Sequence, residues 1–237
     1  MRNILTITGR EIRSYFVSPL AYVAMFFFVF ICGFIFTLSI STGQAQADMG
    51  PIFHSMVFLT LLLAPVLTMG LIAQELSSGS IELLMTKPVL DTEVAIGKFL
   101  GALTVYLVIL VVTLEFPLMY EAWGNPDWGI IASGYIGLFL AGMAFLAIGT
   151  FASSVTDNQI AAWLIGTSIA LFFWLVGWLS YSGTTFVSEV AGRLSIYENF
   201  QDFTRGIVDG KNLLFFVSLA VIFLFMAVRA IENRRTV

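Results

Sequence analysis

Apolar and polar positions do not alternate along this chain; they come in long blocks. Six runs are almost free of charge: Leu20–Ile40, Ile52–Ala73, Lys98–Leu118, Ile131–Ala152, Ile160–Ser180 and Leu213–Val228. Each is close to the length of about 20 residues that a helix needs to cross a hydrocarbon core. The first run holds 21 residues without a charge. That is longer than the apolar region of a secretory leader, so it reads as a retained span. Gly134, Gly137, Gly142 and Gly149 interrupt the fourth run, and in a membrane helix glycine marks close packing. The pattern predicts an all-α, polytopic membrane protein with six transmembrane helices, one domain over residues 1–237.

Three polar segments between the runs have patterns of their own. Over residues 2–16 a helical period places Ile4, Leu5, Ile12, Tyr15 and Phe16 on one arc, with Ile7 outside it. Arg2, Arg10 and Arg13 fall on the opposite arc. This is a basic amphipathic helix suited to an anionic leaflet, before Pro19 turns the chain into the first span. In residues 75–98, Gly79 and Ser80 break the chain and Ile81 to Thr86 form a short helix. Glu82 sits in its first turn, where the helix dipole favours an anion. Pro88 stops that helix, and Asp91 caps the next one. The resulting knob carries Leu83 and Leu84 between Glu75, Glu82 and Lys87. It suits a groove on a soluble partner, or it rests on the protein's own ends. In residues 181–212, Ser195 and Glu198 have capping-box spacing, and Phe200, Phe203, Ile207 and Val208 recur at helical intervals up to Gly210. The expected short helix either caps the exit of a transport path or closes the bundle.

Composition supports lipid as the solvent. Hydrophobic residues make up 59% of the chain and charged ones 11%, against about 25% charged in soluble domains. Net charge is −4, but its distribution says more than its sum. Arg2, Arg10, Arg13, Lys87, Lys98, Arg229, Arg234 and Arg235 share one side of a six-span topology, and Arg193, Arg205 and Lys211 the other. Eight against three places both termini in the cytoplasm. The protein is therefore expected in the cell (inner) membrane.

Candidate chemistry is sparse. No G-x-x-x-x-G-K-[ST] loop occurs, so ATP must be handled elsewhere. Cys32 is the only cysteine and His54 the only histidine, which argues against a metal site, and no basic stripe suggests nucleic acid. Glu115, two residues before Pro117 near the outer end of the third run, is either a polar contact in a pathway or a boundary carboxylate.

Several runs resemble one family in order and spacing: REIRSYFVSPLAY, APVLTM, a Glu at the membrane exit, GSIELLMTKPVLDTEVAIGKFLGA and NFQDFTRGIVDGKNLLFF. From Arg10 to Arg229 the chain resembles the ABC-2 family of transporter permeases, most closely the small gliding-motility type. The resemblance implies an ABC-2 (type V exporter-like) permease fold with no catalysis of its own. It implies that residues 2–16, with Arg2, Arg10 and Arg13, are a cytoplasmic elbow helix. Glu75, Gly79, Glu82, Leu83, Leu84, Lys87 and Pro88 would be the coupling loop that docks on a separate ABC ATPase. That ATPase would carry ATP and Mg, and this chain no cofactor. Phe200, Phe203 and Arg205 would lie in short outer helices and, with Glu115, are candidates for a pathway or outer gate. A second permease would complete a homo- or heterodimer. The substrate is unidentified; an apolar and aromatic wall with few charges suits an amphiphilic one better than a hydrophilic ion. The alternative is an ATP-driven module that does not transport but works mechanically on an extracytoplasmic partner.

Overall fold

The computed structural model describes residues 2–41, 49–79, 90–123, 126–181 and 185–235. Most of the expected knob, including Glu82, Leu83, Leu84, Lys87 and Pro88, lies outside the described residues, as does the Arg2 side chain. The described residues form α-helices with one 3-10 turn and no strand. In chain order these are α1 (Arg2–Val17), α2 (Pro19–Ser41), α3 (Gly50–Thr68), α4 (Ala73–Ser77), α5 (Asp91–Thr113) and α6 (Glu115–Trp123). There follow α7 (Trp128–Val155), α8 (Gln159–Leu175), the 3-10 turn Val176–Tyr181, α9 (Thr185–Leu194), α10 (Ile196–Thr204) and α11 (Gly210–Arg235).

Six segments are long and apolar enough to cross a membrane: Pro19–Ser41, Gly50–Ser77, Asp91–Glu121, Trp128–Val155, Gln159–Ser180 and Gly210–Arg234. All six expected spans are present, most with polar ends longer than hydropathy alone outlined. The third begins at Asp91, so Lys98 stands two turns inside a helix. Its start is also capped differently from expectation. Asp91 is already helical, and it is Glu93 that reaches back to the Leu90 N–H at 3.3 Å.

The bundle is built around α7, which touches α3, α5, α8, α10 and α11. Its glycines make this possible. A Cβ on Gly142 would stand 2.1 Å from the Tyr106 ring, and one on Gly137 2.7 Å from Phe203. Gly134 and Gly149 receive Phe53 and Thr68 in the same way. Small residues thus let neighbouring helices approach where lipid supplies no hydrophobic drive between them. By contrast, only 17% of the apolar window of α2 is buried, against 67% for α7, which leaves Phe26, Phe27, Phe30 and Phe34 facing outward.

Breaks in the spans are satisfied by side chains from other helices. Pro117 cannot donate to the Thr113 carbonyl, which lies one helical turn earlier. Tyr135 of α7 supplies the missing donor at 2.8 Å, so the α5–α6 bend leaves no orphan acceptor there. At the opposite, N-terminal end of the bundle, Ser153 plays a similar part for the α3–α4 break.

The connection after α8 holds two helices rather than one. Ser195 separates them and caps α10 by accepting the Glu198 N–H at 3.2 Å, as the capping-box spacing foretold. The helical pattern was expected to run on to Gly210, but α10 stops at Thr204. Gly206, at φ 84°, reverses the chain in a left-handed conformation that a side chain disfavours. Ile207 and Val208 are consequently exposed.

Candidate functional site

The described part of the expected coupling segment sits where four helices meet, at the end of the bundle shared by α1 and the C-terminal end of α11. Three of its features are local. Helix α4 is a single turn and a half, Ser78 and Gly79 follow it, and Gly79 turns the chain out at φ 68°. Between α3 and α4 the backbone leaves the helical ladder at Met69–Ile72. The buried hydroxyl of Ser153 on α7 bridges this gap: it accepts the N–H groups of Ile72 and Ala73, each at 3.0 Å, and donates to the Met69 carbonyl at 3.0 Å. Tyr15 of α1 donates to the Leu67 carbonyl at 2.5 Å. Burial, with the Glu11 carboxylate nearby, pushes the Tyr15 hydroxyl far above the usual tyrosine range, so it keeps its proton and remains a donor.

Charge ties the same turn to two further helices. The Glu75 carboxylate of α4 pairs with Lys98 of α5 at 2.9 Å and with Arg10 of α1 at 2.9 Å. Lys98 also pairs with Glu11 of α1 at 3.1 Å, and Arg10 with Glu11 at 3.3 Å. The four groups form a closed, neutral ring. Lys98 is 2% exposed, and an ammonium so far from water is tolerable only because two carboxylates meet it. Arg10 stands at the wet edge, with over half of its side chain exposed.

The ring can close because α1 lies directly on α5. Ile4, Ile7, Thr8, Glu11 and Tyr15 recur at three- and four-residue steps and share one face of a helix. A Cβ on Gly97 would meet Ile7 at 2.9 Å, and one on Gly101 would meet the Glu11 Cβ at 2.6 Å. Thr8 donates to the Gly97 carbonyl at 3.1 Å, and Asn3 to Glu93 at 2.9 Å. The face expected from hydrophobicity overlaps this one only at Ile4 and Tyr15. Leu5 is 71% exposed and Phe16 41% exposed, whereas Ile7, the outlier of the apolar arc, enters the glycine notch. Docking follows shape and charge complementarity to α5, and leaves Leu5, Phe16 and Val17 exposed.

The structure brings Arg10 and Glu75 together; Gly79 only ends the turn, with nothing packed where a Cβ would stand, and Arg13 is exposed on the helix of Arg10. Glu11 and Ser153 complete the junction and were not singled out from sequence, and Tyr15 was read only as part of an apolar arc, not as a donor. Lys98 was read only as the edge of a span. A charge two turns into an apolar helix, flanked by Gly97 and Gly101, was the signal that something polar must pack there.

The remaining candidates do not converge. Phe200 and Phe203 are fully buried against α7, where Ser133 also donates to the Phe203 carbonyl at 2.7 Å. That position fits closure of the bundle. Arg205 is exposed at the end of α10. Glu115 lines a separate groove between α2 and α6 that includes none of these three. His54 uses Nδ1 on the Gly50 carbonyl at 2.8 Å. Among the described residues no group of His, Cys, Asp or Glu is arranged to hold a metal ion.

A family model described as ABC-2 family transporter protein covers residues 16–231, most of the chain. A search of curated proteins returned no match.

Proposed function

This chain belongs to the ABC-2 family of transporter proteins, and on that footing we propose that it is the membrane-spanning permease subunit of an ATP-driven exporter. It is a multi-pass membrane protein. The family is typically a non-catalytic membrane component and generally pairs with an ATPase subunit. In our reading the α1–α4 end of the bundle is cytoplasmic, and residues 75–98 dock on that ATPase, which carries ATP and Mg. A second permease, a copy of this chain or a relative, completes the pair. The cargo in this reading is amphiphilic, since Lys98 is the one charged side chain among the buried described residues and the walls are otherwise apolar and aromatic. Within the family the runs quoted above favour the gliding-motility type. A purely mechanical role on an extracytoplasmic partner gains no support from any feature of the fold.

The observation that carries this reading is the junction at Glu75. A loop that only joined two spans would not need its first turn fixed to three other helices. Here α4 is bonded to α7 through Ser153 and paired to α5 and α1 through Lys98 and Arg10. Buried, well-packed contacts transmit displacement rather than absorb it. When ATP draws the ATPases together, the push on residues 80–89 therefore arrives at α4 and moves α1, α5 and α7 with it. Alternating access of the spans then follows from a rigid turn, not from chemistry in this chain.

Co-purification from membranes with the cognate ATPase tests the docking. Wild type is expected to retain it. Glu82→Arg combined with Leu84→Asp reverses one charge of the knob and buries another in its apolar contact, and is expected to reduce retention by about tenfold or more. Unchanged melting of that variant would mean that the fold is intact. Equal retention by the variant, or no ATPase with wild type, would remove the docking role from this loop.

A further inference from the structure

We propose that the groove between α2 and α6 is a binding site for an amphiphile with a protonated amine headgroup, with Glu115 as the residue that selects the amine. The proposal deepens the permease reading and rests on it for its meaning as a substrate class. The groove is about 500 Å³ and mainly apolar. Buried Phe36 and Phe116, whose rings lie 5.4 Å apart, form its floor. Exposed Phe30, Phe34 and Met119 form its sides. Glu115 is the one charged residue that lines it.

Depth makes the carboxylate informative. Gly33 and Thr37, which also line the groove, lie 14 and 18 residues along α2 from Pro19. At 1.5 Å per residue that is about 21–27 Å from the start of the span. Glu115 is therefore beside the outer part of the hydrocarbon layer, where an ionisable group is costly unless it meets water or a partner of opposite charge. None of the described residues gives it an ion pair, and no lysine or arginine lines the groove. The neighbouring Thr37 hydroxyl is used within its own helix, on the Gly33 carbonyl at 2.8 Å. Apolar walls that open toward lipid, with a single anionic end, complement a molecule that has one alkyl chain and one cationic head. A neutral or anionic head of the same chain length would leave the carboxylate unmatched or repelled.

Native mass spectrometry of the purified protein in a neutral detergent can read this with three probes of one chain length: oleylamine, oleyl alcohol and oleate. Wild type is expected to hold oleylamine about fivefold better than oleyl alcohol, with oleate the weakest. Glu115→Gln should bring amine and alcohol to within about twofold of each other, with unchanged melting because the side chain is exposed. Gly33→Leu, which places a side chain in the groove, should lower uptake of both. Retention of the amine preference by Glu115→Gln, or oleate binding as well as oleylamine, would overturn the proposal. So would efficient cross-linking of Thr37→Cys to its counterpart in a Cys32→Ser background, since a second copy would then fill the groove. ATPase retention is measured separately. Retention without amine preference sinks this inference alone, while amine preference without ATPase sinks the permease reading.

Discussion

Lys98→Met is expected to lower folding stability by about 3–5 kcal/mol, the usual consequence of removing one member of a buried ion pair. The cause is not the lost attraction alone. Glu11 and Glu75 have only 12% and 18% of their side chains exposed, and without the ammonium their two carboxylates face each other across a site that water barely reaches. Arg10 still pairs with both carboxylates, but from the rim, where its side chain stands 55% exposed, and it leaves the ring one positive charge short. Two comparisons separate this account from a general intolerance to change. Arg10→Ala should cost no more than about 1 kcal/mol, as exposed pairs do. Adding Glu11→Gln and Glu75→Gln to Lys98→Met should recover part of the loss, because the damage lies in stranded charge. Thermal unfolding followed by size exclusion in detergent reads all three. If Lys98→Met melted with Arg10→Ala, the buried ring would not be the fastening described.

Gly142→Ala is the second large effect. Even a methyl group would stand 2.1–2.3 Å from ring atoms of Tyr106. That ring is fully buried, and its hydroxyl donates to the Leu138 carbonyl at 2.9 Å and meets Thr60 at 3.3 Å. Moving it costs about 1–3 kcal/mol for overpacking. Leaving its buried hydroxyl without partners adds a similar amount. A total of about 3 kcal/mol or more is expected. Gly9 provides the opposite case. It lies inside α1, with nothing within 4 Å of where an added methyl would stand, so Gly9→Ala should be neutral or stabilise by up to about 1 kcal/mol. Unfolding midpoints that place the two variants side by side would contradict the notch assignment on α7.

These contrasts also show how far the sequence can be read. Six spans, an all-α fold, the cap at Ser195 and an amphipathic first helix were legible, because each follows from local hydropathy or from a short capping pattern. The full docking face of α1 was not. The helical period puts Leu5 and Phe16 on the apolar arc and Ile7 outside it, but the partner surface is a glycine notch on α5 some 90 residues away in sequence, as the Thr8–Gly97 bond illustrates. Gly97 and Gly101 could be seen to favour close packing, though not to favour α1 over another chain. Ser153 is indistinguishable in sequence from any serine near a helix end. Its value comes from the break it faces, at Met69–Ile72. Likewise Tyr135 gains its role only because Pro117 leaves a carbonyl empty on another helix. Long-range pairing of unsatisfied groups is the part that periodicity does not encode.

The family was legible to the extent that motifs run contiguously, and the family match over residues 16–231 bears that out. The candidate gate shows the limit. Phe200, Phe203, Arg205 and Glu115 all lie toward one end of the bundle, yet the first two are core wedges, the third is exposed, and the fourth belongs to another groove.

The most direct test of the Glu75 junction is ATP hydrolysis by the proposed permease–ATPase complex in lipid nanodiscs, comparing wild type with Glu75→Gln. Gln removes the charge that joins α4 to both α1 and α5 but keeps the shape, and Lys98 retains Glu11 at 3.1 Å. We predict that the variant still holds its ATPase, while the change in hydrolysis that wild type imposes on that ATPase falls by about fivefold or more. Hydrolysis indistinguishable from wild type, with the ATPase still bound, would mean that the push enters the spans by another route.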